Sequence, residues 1–376
     1  MQFVVSSGEL FKHLQLVGKV INNKNSMPIL DNYLFKLEDG DLSITASDLE
    51  TTLSTRIKPE STEGNGIIAI EARRLNDILR EFPEQPLKFQ INIDSRKVDI
   101  ASDKGNYNIM GHSGDEYPQF PQIKEENAVH TQLKSEILLS GITKTIFATA
   151  DDELRPVMNG IFIEIGLDRI TFVASDSHKL VTYSRKDFTS EHETGIILPK
   201  KPASLLKNLL LKDDGMVQVS FDSKNALFTM ADYKMVCRLV EGKYPAYNSV
   251  IPVNNPYKMI IDRVEFQNCL KRVNIFSNQS SNLVKLSVSN DQVEVSAQDI
   301  DYSISAEEKL PCQFDGNPIN IGFKSVFLIE ILSNLPTSDI VLELADPSRA
   351  GILLPFDNES KDEELLMLIM PMMLSN

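Results

Sequence analysis

The 376-residue chain has no tryptophan, three cysteines and five histidines, and its 38 lysines and arginines are outnumbered by 53 aspartates and glutamates. Each shortage excludes something. Cys237, Cys269 and Cys312 are odd in number, far apart and form no CxxC pair, so neither a disulfide framework nor a zinc site is expected. A reducing cytoplasm fits such cysteine usage. No apolar run reaches the roughly 18 residues of a membrane span, and Met1-Gln2-Phe3-Val4-Val5 is too short and uncharged for a signal peptide. Without tryptophan, and without aromatics interleaved among basic residues, a stacking platform for single-stranded nucleic acid is not expected. The histidines at 13, 112, 130, 178 and 192 have no ligand spacing. Phosphate-cradling glycine motifs, HExxH and GxSxG are absent, so no catalytic constellation and no metal centre is signalled. The acidic run Asp151-Asp152-Glu153 reads as an exposed loop, with a metal-dependent nuclease centre as the alternative. Asp299 and Asp301 read as paired carboxylates or, equally well, as an ion-pairing strand edge. The net charge of −15 on its own argues against phosphate binding, which needs Lys and Arg.

What the chain does contain is one pattern written three times. A polar turn leads into an alternating strand and then a small residue, a polar residue and Asp: Asp41-Leu42-Ser43-Ile44-Thr45-Ala46-Ser47-Asp48, again from Asp168 to Asp176, again from Asp291 to Asp299. The closing Asp residues lie 128 and 123 positions apart. Each is expected to cap a strand-end turn, because Asp bonds its own backbone there. Ahead of each stands Asn followed by alternating apolar residues, at Asn32, Asn159 and Asn282, the signature of a half-buried strand. Each copy opens on a helical stripe: Leu10, Leu14, Val17 and Ile21; Ile137, Leu138, Ile142 and Ile146; Phe266, Leu270, Val273 and Phe276. A second helix is expected near Arg73–Glu81, Ala203–Leu211 and Val326–Leu332, and Phe82-Pro83 and Leu335-Pro336 end the first and third of these. Tyr117-Pro118 and Tyr244-Pro245 close the first two copies. The reading is three α+β domains, 1–124, 125–252 and 253–376, each with two helices on one face of an antiparallel sheet.

Charge is segregated within the repeat. The helical stretches 6–22, 72–81, 134–149, 200–212, 263–277 and 324–334 hold 15 Lys and Arg against 6 Asp and Glu, a surplus of +9, which leaves −24 for the rest. The densest run is Lys200, Lys201, Lys207 and Lys212, with no acid between the first and third. Helices facing one way would make a basic surface that holds duplex backbone without reading bases. An acidic exterior would discourage binding elsewhere.

Three α+β repeats with basic helices and no catalytic motif resemble the bacterial DNA polymerase III β sliding clamp family, the processivity subunit of the replicative polymerase. The resemblance covers the whole chain. Its most specific matches are Met27-Pro28-Ile29-Leu30-Asp31-Asn32, Ala174-Ser175-Asp176-Ser177-His178-Lys179-Leu180, Leu239 to Tyr247, and Met370-Pro371-Met372. It implies a non-enzymatic homodimer, joined head to tail into a closed ring of clamp domains, that encircles double-stranded DNA, slides, and uses no cofactor and no membrane. It implies DNA contacts at Lys24, Arg73, Arg80, Lys200 and Lys201. It implies a dimer interface built on Ile275, Phe276 and Tyr107, with Arg74 and Lys104 paired to Asp301 and Glu307. It implies that the polymerase subunit, clamp loader and repair partners insert a short peptide into an apolar cleft between the second and third domains. The matching cleft positions are Arg155, Met158, Ser175, His178, Leu180, Pro245, Val250, Phe327, Ile369, Met370, Pro371, Met372 and Met373. Methionine suits such a site because it reshapes around different ligands. The apolar stretch Leu365 to Leu374 is read as a last strand whose faces divide between core and cleft. Met373 and Ser249 stand where the family often has Arg, and Pro156 where it has an aromatic, which implies a less basic cleft.

Overall fold

The computed structural model describes every residue except Asn23, Ser26, Asn358, Glu359, Ser375 and Asn376, and the side chain of Asn127. Six α-helices and four antiparallel sheets are present among the described residues. The helices are α1 (Ser7–Val17), α2 (Ala72–Glu81), α3 (Ser135–Thr145), α4 (Lys200–Leu210), α5 (Arg263–Asn274) and α6 (Ser325–Asn334). They occupy the six stretches expected from apolar spacing, slightly shortened. The Ser6 side chain caps α1 by accepting from Glu9 N at 3.1 Å, and Asp262 caps α5 by accepting from Glu265 N at 2.7 Å. Leu10, Leu14 and Val17 of α1 are buried, but Ile21 lies past the helix, beyond a 3₁₀ turn at Gly18–Val20. α2 and α6 stop one residue before Phe82 and Leu335, each followed by proline. No helix among the described residues is long and apolar enough to cross a membrane.

The three copies are held by the same bonds. Asn32 Nδ2 donates to the carbonyls of Pro28 and Ile29, Asn159 Nδ2 to that of Asp152, and Asn282 Nδ2 to that of Gln279, so each Asn ties down the loop before its strand. Each repeat Asp caps its turn as expected. Asp48 Oδ1 accepts from Glu50 N and Thr51 N, Asp176 Oδ1 from His178 N and Lys179 N, and Asp299 Oδ1 from Asp301 N and Tyr302 N. Leu49 and Ser177, one residue past the first two Asp residues, both take positive φ, at 76° and 78°. Tyr117 closes the first copy: its buried hydroxyl accepts from Ser47 N at 2.9 Å and donates to Asn32 O at 3.3 Å. Tyr117→Phe strips the partner from a buried N–H and is expected to cost about 1–3 kcal/mol, measured by urea denaturation.

Contacts divide the chain into two compact units, Met1–Leu139 with Lys201–Leu239, and Ser140–Lys200 with Val240–Asn376. The division cuts through the second repeat because successive repeats share sheets. In the first unit, Thr51–Ile57 pairs with Tyr233–Arg238 to make one nine-stranded sheet from strands of the first and second copies. In the second unit, Lys179–Arg185 pairs with Glu363–Ile369 and joins strands of the second and third copies in the same manner.

Each join carries a polar cluster with its own pH window. In the first unit, His13 Nδ1 lies 2.6 Å from Thr55 Oγ1 and 3.1 Å from the Tyr233 hydroxyl, one residue from each joined strand. Burial lowers the His13 pKa, with Asp232 and Glu9 opposing. The folded state therefore resists a proton that the unfolded chain accepts, and stability is lost as pH falls below the ordinary histidine value of 6.5. In the second unit, Lys144 pairs with Glu363 at 2.9 Å, and Arg185 reaches Glu363 at 3.3 Å and Asp187 at 2.7 Å. Burial alone would raise the Glu363 carboxyl. Lys144, then the Tyr183 hydroxyl and Arg185, more than offset it, so the net direction is down. That contribution is present above the ordinary value of 4.5 and is lost as pH falls through the lower folded value. Melting curves across pH 7 to 4 should therefore lose steepness below about 6.5 in His13→Gln and only below about 4.5 in Glu363→Gln.

Candidate clamp surfaces and partner cleft

The cleft residues expected from the sequence all fall in the second unit, and the sheet join gathers most of them. Pairing of Lys179 with Ile369 and Leu180 with Leu368 sets the Asp176–Lys179 turn beside the chain end. Met370 N then donates to His178 O at 2.8 Å. The His178 ring stacks on Phe327 of α6 at 5.4 Å. Arg155 bonds Asp152 at 2.8 Å and closely approaches Ser177 Oγ, which in turn contacts Met158 Sδ at 3.7 Å. Ser175 Oγ donates to Lys179 O at 2.8 Å. Beneath these groups lies an apolar cluster of Val173, Leu180, Ile197, Tyr244, Ala350 and Leu368, with Val157 and Ile251 packed against it. Leu180, Ile369 and Met158 are buried, whereas Pro245, Val250, Met370 and Met373 are exposed.

The chain end departs from expectation. The last strand stops at Ile369, not Leu374, because Pro371 has no N–H to continue a ladder. Met372 instead forms an isolated bridge to Gly322, its N–H donating to Gly322 O at 2.8 Å. A Cβ at position 322 would sit 2.7 Å from Met372 O, so glycine there admits the tail.

Lys179 has no role in the expected set, yet it organises this corner. It is 4% exposed, pairs with Asp176 at 2.7 Å and Glu330 at 3.0 Å, and lies 4.5 Å from the Phe327 ring centroid. A lysine opening a strand, directly before apolar Leu180 and Val181, was the available signal. Asp152 is likewise spent on structure: its carboxylate accepts from Leu154 N and Arg155, which holds its pKa down. Among the described residues no cluster of His, Cys, Asp and Glu has metal-binding geometry.

The basic residues differ in how committed they are. Lys24, Arg73 and Lys200 are exposed. Arg80 is exposed and 3.7 Å from Asp77 within α2. Lys201 is bonded inside the first unit to Asp48 and to segment 20–22.

Two sheets have no counterpart joined to them within the chain. Asn106–Met110 ends the five-stranded sheet of the first unit, and Ile304–Pro311 ends the four-stranded sheet of the second. Tyr107 lies on the first edge, 5.3 Å from Phe82, with Lys104 exposed just before it. Glu307 lies on the second, and Asp301 in the turn before it. α5 packs on that second edge, where Arg272 holds Glu308 through two bonds of 2.9 and 2.6 Å. Past its C-terminus Ile275 is 73% and Phe276 38% exposed, an apolar surface without a cover. Arg74 is bonded to Glu71 at 3.1 Å.

Three shared-sheet α+β repeats, with basic helices and two unjoined sheets, define a clamp fold. The N-terminal, central and C-terminal domain models of the DNA polymerase III beta subunit match residues 1–121, 132–246 and 248–373, and the chain belongs to that family. A beta sliding clamp of Pseudomonas putida is 27% identical over 376 residues, covering all of both chains. The beta sliding clamp of Bacillus subtilis is 26% identical over 99% of both. The crystal structure of the Pseudomonas aeruginosa DnaN sliding clamp bound to griselimycin superposes with a TM-score of 0.93 at 26% identity, covering all of both chains.

Proposed function

We propose that the chain is a non-catalytic DNA sliding clamp that acts as a head-to-tail homodimer, closed around duplex DNA in the cytoplasm. It tethers the replicative polymerase, clamp loader and other partners through the cleft between its second and third domains. The domain boundaries lie near 124 and 252.

The supporting observation is the pair of unjoined sheets. Within the chain, the first sheet of copy one joins the second sheet of copy two, and the first sheet of copy two joins the second sheet of copy three. The same rule leaves over the first sheet of copy three, edged by Ile304–Pro311, and the second sheet of copy one, edged by Asn106–Met110. A second copy supplies the missing partner for each, so that every first sheet is joined to a second sheet. The internal joins also fix a register. Thr51 faces Cys237 and Lys179 faces Ile369. Ile304, which pairs with Asp299 across its turn, holds the corresponding place in copy three. The strand Asn106–Met110 holds the place of Tyr233–Arg238 and Glu363–Ile369, so Ile304–Pro311 is set against Asn106–Met110 of the second copy. Ile275 and Phe276 are covered in the same contact. Pairs of Arg74 and Lys104 with Asp301 and Glu307 at the rim add roughly 0–1 kcal/mol each.

Lys24, Arg73, Arg80 and Lys200 meet phosphates without reading bases. Encirclement, not affinity, then retains the DNA, and weak contacts permit sliding. In the cleft, the apolar floor and methionine tail take hydrophobic side chains, and Ser249 and Met373 reduce the rim's positive charge. Sedimentation equilibrium at micromolar concentration tests the assembly. It should give twice the 42.2 kDa chain mass, and a lone 42.2 kDa species would refute it.

A further inference from the structure

A lysine ammonium has three N–H donors and no acceptor. At Lys201 all three are used within the first unit. Nζ donates to Val20 O at 3.2 Å and to Asn22 Oδ1 at 2.6 Å, and it pairs closely with Asp48 Oδ2. The Asp48 side chain is only 5% exposed, and its other oxygen is committed to the N–H groups of Glu50 and Thr51. A carboxylate so buried needs a paired cation, and removing either member strands the other.

Helix stability does not explain a cation here, since the first turn of a helix disfavours positive charge. Nor does the repeat demand one. Pro199 and Lys324 pair with the residue after the repeat Asn, and Glu71 with the repeat Asn itself. Lys201 therefore corresponds to Val326 and to Ala72, neither of them charged. The charge at 201 answers to Asp48 alone.

We propose that Lys201 is a clasp and not a phosphate contact. It fastens the Asp48 turn and segment 20–22 to the start of α4, and leaves DNA to Lys200 beside it, although both side chains reach solvent. The DNA half of this statement rests on the clamp reading above; the clasp itself does not.

The test uses the full-length protein and a fluorescein-labelled linear duplex, with affinity followed against salt, alongside thermal melts. Each phosphate contact contributes about 0.9 to the slope of log K against log salt. Lys201→Met should keep the wild-type slope and lower the melting temperature, whereas Lys200→Met should flatten the slope by about 0.9. Asp48→Asn frees the ammonium and should steepen the slope. The double variant Asp48→Asn/Lys201→Met should melt no lower than Lys201→Met alone. A slope flattened as much by Lys201→Met as by Lys200→Met overturns the proposal, as do additive losses of melting temperature in the double variant. If no variant changes the slope while the melts remain non-additive, the clasp stands and the DNA reading of α4 falls.

Discussion

Replacing Ile275 and Phe276 together by alanine should convert the dimer to monomer at concentrations where the native protein is wholly paired. Both side chains are exposed on the single chain, and in the proposed assembly the meeting of two edge strands covers them. Loss of two large apolar groups from a contact costs roughly 1.5–3 kcal/mol for each side chain fully covered. Incomplete coverage brings this to about 2–4 kcal/mol per interface. The closed dimer has two such interfaces, so dissociation to monomers becomes easier by about 4–8 kcal/mol, or at least roughly a thousandfold. The monomer should stay folded, because neither residue belongs to the buried core and the α5 stripe of Phe266, Leu270 and Val273 is untouched. Sedimentation velocity over a dilution series reads this directly. An undiminished dimer would move the interface elsewhere.

Ending the chain after Ile369 should abolish capture of partner peptides and leave the dimer intact. The last strand is complete at Ile369, which is fully buried. What is removed beyond it is the Met370–Met373 rim and the bridge to Gly322. Losing two or three partly covered methionines should cost about 3 kcal/mol, or about a hundredfold in affinity. The probe is a fluorescent peptide carrying the clamp-binding segment of the polymerase subunit from the same cell, read by anisotropy. Equal affinity for the shortened and full chains would show that the tail takes no part in the cleft.

The repeat was legible because its marks are local. Asn32, Asn159 and Asn282 each act within seven residues, and the three Asp turns within three. A single sequence written three times displays such short-range devices at a constant interval. The sharing of sheets between repeats left no mark, since Thr51 and Cys237 meet across most of two copies and nothing in either residue names the other. Compact units that cut through the middle repeat follow from that pairing. Basic helices were visible as a charge excess, but the excess did not reveal which charges are spent. Arg74 is held by Glu71 within one helix, and Lys201 by an aspartate 153 residues away. The cleft was expected only through resemblance to the family. Its buried organiser, Lys179, depends on a sheet join and on Glu330 of a distant helix. The strand expected through Leu374 ended early at the one residue, Pro371, whose chemistry forbids continuation.

The central claim is that topology, and not affinity, keeps this protein on DNA. Purified protein loaded by its clamp loader onto a nicked circular plasmid should co-elute with the circle through gel filtration in moderate salt. Cutting the same plasmid once with a restriction enzyme should release it within the time needed to slide off the ends. Equal retention on the circular and the linear form would contradict the account.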